Sequence, residues 1–217
     1  MAQRPVYLAL SKPFGKLAAG ASRFWGNPDL PDGVPYPTYV DDDGDECPYF
    51  FVCQINLAEL AVFAPENPLP KGGLLSFFAK IDHYLGHMAA TDCVMSHIGE
   101  PEDVRVMYFP SAGNTREVEV VDDGGEPVAP VELAVGFSRK RAPLGDDHAL
   151  FAPPAHREWE TWDPPFEQWE ILLQVDSFDG MDFSLNFMDC GVLDFLIAPE
   201  DLRQGRFGNV RAIVLST

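Results

Sequence analysis

Apolar residues in this chain fall in runs of four to eight, rich in valine, isoleucine and phenylalanine, and glycine or proline interrupts them every few positions. That rhythm predicts short β-strands over 49–55, 74–78, 104–109, 115–121, 131–137, 169–175, 192–197 and 210–215. Helix should be sparse. Asn56-Leu57-Ala58-Glu59 has the residue types of a capping box, and Pro199-Glu200-Asp201-Leu202 opens with a proline suited to a first helical turn, so a short helix is expected in each half. Asp122-Asp123-Gly124-Gly125 between two strand-like runs predicts a hairpin turn on a surface ribbon. Pro28, Pro31, Pro35 and Pro37 hold an extended segment that must wrap over something else. Pro153-Pro154 and Pro164-Pro165 bracket a tryptophan-bearing segment that reads as a linker or crossover.

The apolar pattern also repeats. Phe51-Val52-Cys53-Gln54-Ile55-Asn56 returns as Ile171-Leu172-Leu173-Gln174-Val175-Asp176. Gly73-Leu74-Leu75-Ser76-Phe77-Phe78 returns as Gly191-Val192-Leu193-Asp194-Phe195-Leu196, and Val104-Arg105-Val106 as Val210-Arg211-Ala212. A duplicated three-strand unit follows, within a single domain of two related halves, about 1–150 and 151–217. A glutamine inside each first run is chemically odd, because a buried carboxamide costs free energy unless its donors and acceptor are paired. Gln54 and Gln174 are expected to bond backbone in equivalent places.

Charge changes the picture most. The 217 residues carry 15 Lys and Arg against 34 Asp and Glu, a net −19. Such a field repels nucleic-acid phosphates and anionic membranes, so no nucleic-acid or membrane partner is expected. Residues 1–40 are net basic. The acids concentrate at 41–66, with seven and no Lys or Arg, and at 158–201, with twelve and again none. In the second stretch they alternate with Trp159, Trp162, Phe166, Trp169, Phe178, Phe183 and Phe187. Rings turned into a core with carboxylates on the opposite face would produce this alternation. Aromatic anchors ringed by one sign of charge also suit a basic protein partner. Four cysteines without a C-x-x-C pair read as reduced thiols of a cytoplasmic protein, and neither a secretory leader nor an 18-residue apolar run is evident.

Candidate chemistry is thin. His83 and His87 stand four apart, with Asp82, Asp92, Cys93 and His97 nearby, but the segment lacks zinc-site spacing and reads as a polar insertion between strands. In Asp41-Asp42-Asp43-Gly44-Asp45-Glu46 the glycine is at position four rather than six of a calcium loop, and Val52 occupies position twelve. A solvated acidic turn fits better. Hydrolase elbow, P-loop and dinucleotide fingerprints are missing. No catalytic residue, cofactor or metal is expected, and the chain does not read as an enzyme.

Trp25-Gly26-Asn27-Pro28-Asp29-Leu30-Pro31-Asp32-Gly33, Gln54-Ile55-Asn56-Leu57-Ala58-Glu59-Leu60 and Leu69-Pro70-Lys71-Gly72-Gly73-Leu74-Leu75-Ser76-Phe77-Phe78 carry a resemblance, joined by Leu172-Leu173-Gln174-Val175-Asp176, Asp189-Cys190-Gly191-Val192-Leu193-Asp194-Phe195 and Asp201-Leu202. With these residues the chain resembles the YwqG-like family of bacterial proteins. The family usually has two glycines at Trp25-Gly26 and a tryptophan at Tyr36. The resemblance implies an α+β protein of short antiparallel strands with few helices, and no catalytic residues to transfer. It also implies a setting beside secreted polymorphic toxins, where small acidic cytoplasmic proteins act as immunity factors. The expectation is an immunity protein that neutralises a basic cognate toxin, such as a secreted nuclease, by acidic-surface occlusion. Its partner-binding residues would be Asp41, Asp42, Asp43, Asp45, Glu46, Trp159, Trp162, Trp169, Asp179 and Asp182. The rival expectation is a small-molecule or metal-dependent enzyme or binding protein with a site between the two repeats.

Overall fold

A computed structural model describes residues 4–81, 87–89, 97–121, 124–141, 147–154, 162–179, 184–187 and 191–215. Its strands are β1 (Val6–Ser11), β2 (Arg23–Phe24), β3 (Asp29–Pro31), β4 (Thr38–Val40), β5 (Glu46–Pro48), β6 (Phe50–Asn56), β7 (Leu74–Ala79), β8 (His87–Ala89), β9 (Val104–Phe109), β10 (Thr115–Glu117), β11 (Leu133–Ser138), β12 (Ala149–Leu150), β13 (Glu170–Asp176), β14 (Phe178–Asp179), β15 (Ser184–Asn186), β16 (Val192–Ile197) and β17 (Arg211–Leu215), and the helices are α1 (Leu57–Phe63) and α2 (Pro199–Gln204). Each of the eight predicted runs contains a strand.

Ten strands form one sheet in the order β17-β16-β13-β12-β1-β11-β2-β6-β7-β9, antiparallel at every step. The sheet curls into a nearly closed barrel. Near its two ends, Gly99, just ahead of β9, donates its N–H to the Ala212 carbonyl of β17 at 2.7 Å. Phe77 of β7 and Phe195 of β16 meet edge to face inside, their centroids 5.3 Å apart. Both faces of β6, β7, β13 and β16 are covered, so these strands read as unbroken apolar runs rather than alternating ones.

The α+β class is therefore corrected to a β-rich fold, mostly antiparallel strand with little helix among the described residues. Both expected helices form, but they are seven and six residues long. Pro65 follows the Ala64 cap and bars further α conformation there, and Gly205 closes α2 in the left-handed region at φ 64°. Nor do the helices occupy equivalent places: α1 lies between β6 and β7, and α2 between β16 and β17. Among the described residues no helix is long and apolar enough to cross a membrane.

The duplication extends to five strands. Gln54 faces Arg23 on one side and Ser76 on the other, and Gln174 faces Ala149 and Asp194. Each glutamine strand has its register shift at one place, leaving Val52 or Leu172 as the extra residue. The extra residue's carbonyl accepts an N–H from an aromatic residue forced to positive φ, Trp25 (58°) for Val52 and Phe151 (56°) for Leu172. Outside these strands, β11 beside β2 matches β1 beside β12, Leu133 facing Phe24 as Val6 faces Leu150. Finally, β1 and β11 pair with each other symmetrically, with Ala9 opposite Gly136 on the pseudo-two-fold axis. By register the repeats are β1-β2-β6-β7-β9 and β11-β12-β13-β16-β17, with their first strands exchanged. By this register β11 and β12 group with the second repeat; two-residue strands such as β2 and β12 leave no periodic trace in a sequence.

Candidate functional site

The outer face of the first repeat carries the most conspicuous surface feature. Leu30, Tyr49, Phe51 and Phe78 form a small core there, with Tyr36, Tyr39 and Phe109 packed on it. The proline-rich segment covers this face as expected, and its middle forms β3, paired with β10. The same core seats the β4–β5 hairpin. Tyr36 donates its hydroxyl to the Tyr49 carbonyl at 2.7 Å, the Tyr39 and Tyr49 rings meet at a tilt with centroids 5.0 Å apart, and the Lys80 ammonium lies 5.1 Å from the Tyr39 ring centre.

At the hairpin tip Asp41 accepts the backbone N–H groups of Asp43 and Asp45 at 3.0 and 2.8 Å on one carboxylate oxygen. Its own N–H donates to the Asp45 carbonyl, and Gly44 supplies the positive φ of 90° that the turn requires. These bonds, the one from Asp45 first, hold the Asp41 carboxyl below the usual carboxylate range. The turn is thus self-organised, and Asp42, Asp43, Asp45 and Glu46 stand exposed around it. None of them forms an ion pair among the described residues. Val40 beside them is 67% exposed.

Next to the hairpin base a small open cleft is lined by Asn27, Tyr36, Tyr49, Phe50, Val120 and Pro130, among others. Gly26, beside Asn27 in the strap 25–31, lines it too. Gly26 is obligatory there: at φ 69° an added Cβ would sit 2.7 Å from the Glu132 Cβ. Asn27 donates its amide to Glu117 at 3.1 Å. Behind the strap lies a buried ionic network in which Arg23 pairs with Asp29 at 2.8 Å and Glu132 at 3.1 Å. Asp29 also accepts from the Gly20 N–H and from Gln54 Nε2, while its own N–H donates to Gln54 Oε1. The charges of Arg23, Asp29 and Glu132 are thus paired, as buried charges must be, while Arg23 Nε is left without a partner among the described residues.

The tryptophan segment behaves differently from the recognition patch expected of it. Trp162 is buried, donates its indole N–H to the Trp169 carbonyl at 3.0 Å, and packs with Ile171, Leu196 and Ile213 on the outer face of the second repeat. Phe166 and the partly buried Trp169 meet edge to face against the same cluster. Trp162 is therefore core, not an exposed anchor: a sheet face must be covered, and these rings are the largest apolar groups at hand. Trp159 and Asp182 lie outside the described residues. Asp179 ends β14, on a separate three-stranded sheet with β15 and β8, away from the hairpin sheet. Of the histidine-rich stretch, Asp82, His83, Asp92 and Cys93 also lie outside the described residues, and His97 is exposed. Among the described residues no three His, Cys, Asp or Glu side chains are grouped to hold a metal ion.

Both glutamines bond as expected. Gln54 Nε2 donates to the Ala21 carbonyl at 2.8 Å, and Gln174 Nε2 to the equivalent Asp147 carbonyl at 2.9 Å. What the sequence reading missed is the ionic network around Gln54. Arg23 and Asp29 are six residues apart in a segment with no periodicity, and Glu132 is over a hundred residues away.

No curated protein shows significant similarity to the chain. The family model described as "Domain of unknown function (DUF1963)" matches residues 22–163 and again 154–214. These two matches span both repeats and nearly the whole barrel, and the chain accordingly belongs to that family.

Proposed function

We propose that this protein is a cytoplasmic binding protein that neutralises a basic partner, a cognate bacterial toxin in the setting that the YwqG-like resemblance implies, and that the β4–β5 hairpin makes first contact. The observation that carries the reading is the hairpin itself. A tip ordered by Asp41 holds Asp42, Asp43, Asp45 and Glu46 in the solvent, in no ion pair among the described residues, around an exposed Val40. Charges held in place cost little to organise on binding, and they raise the encounter rate with a positively charged surface. A toxin nuclease presents such a surface to nucleic acid, so covering it blocks the substrate. The chain's net −19 acts at longer range in the same direction.

The test is co-expression of the protein with the toxin encoded beside it, scored by growth and by co-purification. Protection by the wild-type chain, lost when Asp42, Asp43 and Asp45 become Asn and Glu46 becomes Gln, is the expected result. Failure of the wild type to protect or co-purify would contradict the reading.

A further inference from the structure

The pseudo-two-fold axis sets two equivalent rows of side chains against each other on the outer faces of the repeats. In the first the row reads Arg23, Gln54, Ser76, and in the second Ala149, Gln174, Asp194. The first row has a buried cation, and its carboxylates are paired with it. The second has a buried acid and, in place of the arginine, an alanine. Asp194 is 0% exposed, and among the described residues neither of its oxygens has a hydrogen-bond partner. Gln174 Oε1, directly across the strand pair, is also buried and unpaired, its amide being committed to the Asp147 carbonyl. Cross-strand neighbours on one face have Cβ atoms about 5 Å apart, within reach of each other's side-chain tips.

Three unpaired acceptor oxygens side by side, with no donor among them, leave one place for a proton. A lone buried carboxylate would cost far more than a neutral acid, so such a group binds a proton and becomes a donor. We infer that Asp194 is a carboxylic acid in the folded protein and donates its proton to Gln174 Oε1, so that the packing of β13 against β16 is held by a proton where the first repeat holds its equivalent face with Arg23. The surrounding charges agree. Among the described residues, β13 contributes Asp176 and Glu170. Asp147 ahead of β12 is paired with Arg141, and Arg211 of β17 is paired with Glu100. His148 accepts the Asp176 N–H on Nδ1 at 3.1 Å and is kept neutral by burial. Burial, and then the Asp176 charge, push the Asp194 carboxyl well above its ordinary range.

The sign of the pH effect follows. The folded affinity for the proton exceeds the unfolded one, so the full penalty applies at high pH, once Asp194 must ionise to stay folded. Stability is regained as pH falls from the raised value toward the unfolded value of 3.8. Alkaline conditions would thus loosen the second repeat first, a pH-sensitive latch within the barrel.

The experiment measures thermal unfolding of the chelator-treated full chain from pH 4.5 to 9, for wild type, Asp194→Asn and Asp194→Ser, the last placing here the residue found at 76 in the first repeat. The difference between variant and wild type isolates Asp194, because the His148 contribution is common to both. At the alkaline end at least one variant should melt above wild type, by about 5 °C or more for a chain of this size, and the gap should close toward pH 4.5. The infrared spectrum of wild type at pH 7 should contain a carboxylic-acid carbonyl band that the variants lack. A gap that stays constant with pH, together with no acid band, would overturn the assignment. So would a wild-type transition raised by added magnesium or calcium while that of Asp194→Asn stays put, since a metal ion would then occupy the proton's place.

Discussion

Residues where the backbone must do something unusual are the ones whose roles carry over between the two repeats. Gly73 and Gly191 precede equivalent strands, and an added Cβ would lie 2.2 Å from the Phe109 carbonyl oxygen and 2.1 Å from that of Leu215. Both obstacles are backbone, which cannot swing aside. Gly73→Ala and Gly191→Ala should each cost about 2–4 kcal/mol in urea denaturation, well above the ordinary cost of a point substitution. Gly136, on the pseudo-axis, is the control: its added Cβ would meet Ala9 atoms at 3.6 and 4.0 Å, an ordinary contact. Gly136→Ala should be neutral or stabilising by up to about 1 kcal/mol. Equal losses at all three positions would mean that the register equivalence is wrong. A second residue-scale prediction concerns Asp29, whose carboxylate serves Arg23, Gln54 and the Gly20 N–H. Asp29→Ala strands part of a buried guanidinium charge and should lower stability by about 3 kcal/mol or more, read by the same denaturation. A smaller loss would mean that Glu132 alone suffices for Arg23. The glutamines and paired glycines were legible because each is an exception inside an apolar run. Arg23 and Asp29 were not, because nothing local distinguishes a buried ion pair from two surface charges.

At the scale of elements, the unbroken apolar runs of β6, β7, β13 and β16 identified themselves, since strands covered on both faces need no alternation. Elements of two residues, such as β2 and β12, take their form from partners far along the chain. The capping box at α1 was half right. Asn56 accepts from the Ala58 and Glu59 N–H groups, but Glu59 turns to the Ser22 hydroxyl at 2.6 Å, and the Asn56 N–H donates to Ser22 Oγ instead. The acidic turn was also legible, and its structure refines the experiment on it. Asp41 organises the loop, whereas Asp42, Asp43, Asp45 and Glu46 display charge at the surface, Glu46 also accepting the Thr38 hydroxyl at 2.6 Å. Neutralising those four should leave the melting temperature within about 2 °C of wild type and slow association with the partner by roughly tenfold at low salt. Asp41→Ala should instead disorder the tip, seen as faster amide exchange at Asp43 and Asp45. Unchanged association rates in the fourfold variant would remove the hairpin from the interface.

For the whole molecule, duplication explains why a chain of 217 residues closes a ten-stranded sheet around one core with two short helices. Each repeat supplies four consecutive sheet strands on its own and borrows the fifth from the other. The exchange of β1 and β11 locks the halves together, and the core beneath runs through both. Opposite pH responses are built into the second repeat. His148, neutral and held down to about 3 by burial, disfavours folding as pH falls below its ordinary 6.5. Wild type should therefore lose stability between about pH 6 and pH 3 relative to His148→Gln, even as Asp194 favours the folded state in acid. Parallel profiles would show that His148 takes up its proton without unfolding.

The central functional claim stands or falls on whether the acidic hairpin captures a basic partner. The measurement is the association rate of the purified chain with the toxin encoded beside it, followed by stopped flow across a series of salt concentrations, for wild type and for the variant with Asp42, Asp43 and Asp45 changed to Asn and Glu46 to Gln. The wild-type rate should fall steeply as salt rises, and the variant rate should be slower at low salt and flatter throughout. Identical rates and salt slopes for the two proteins, or no association at any salt concentration, would contradict the claim.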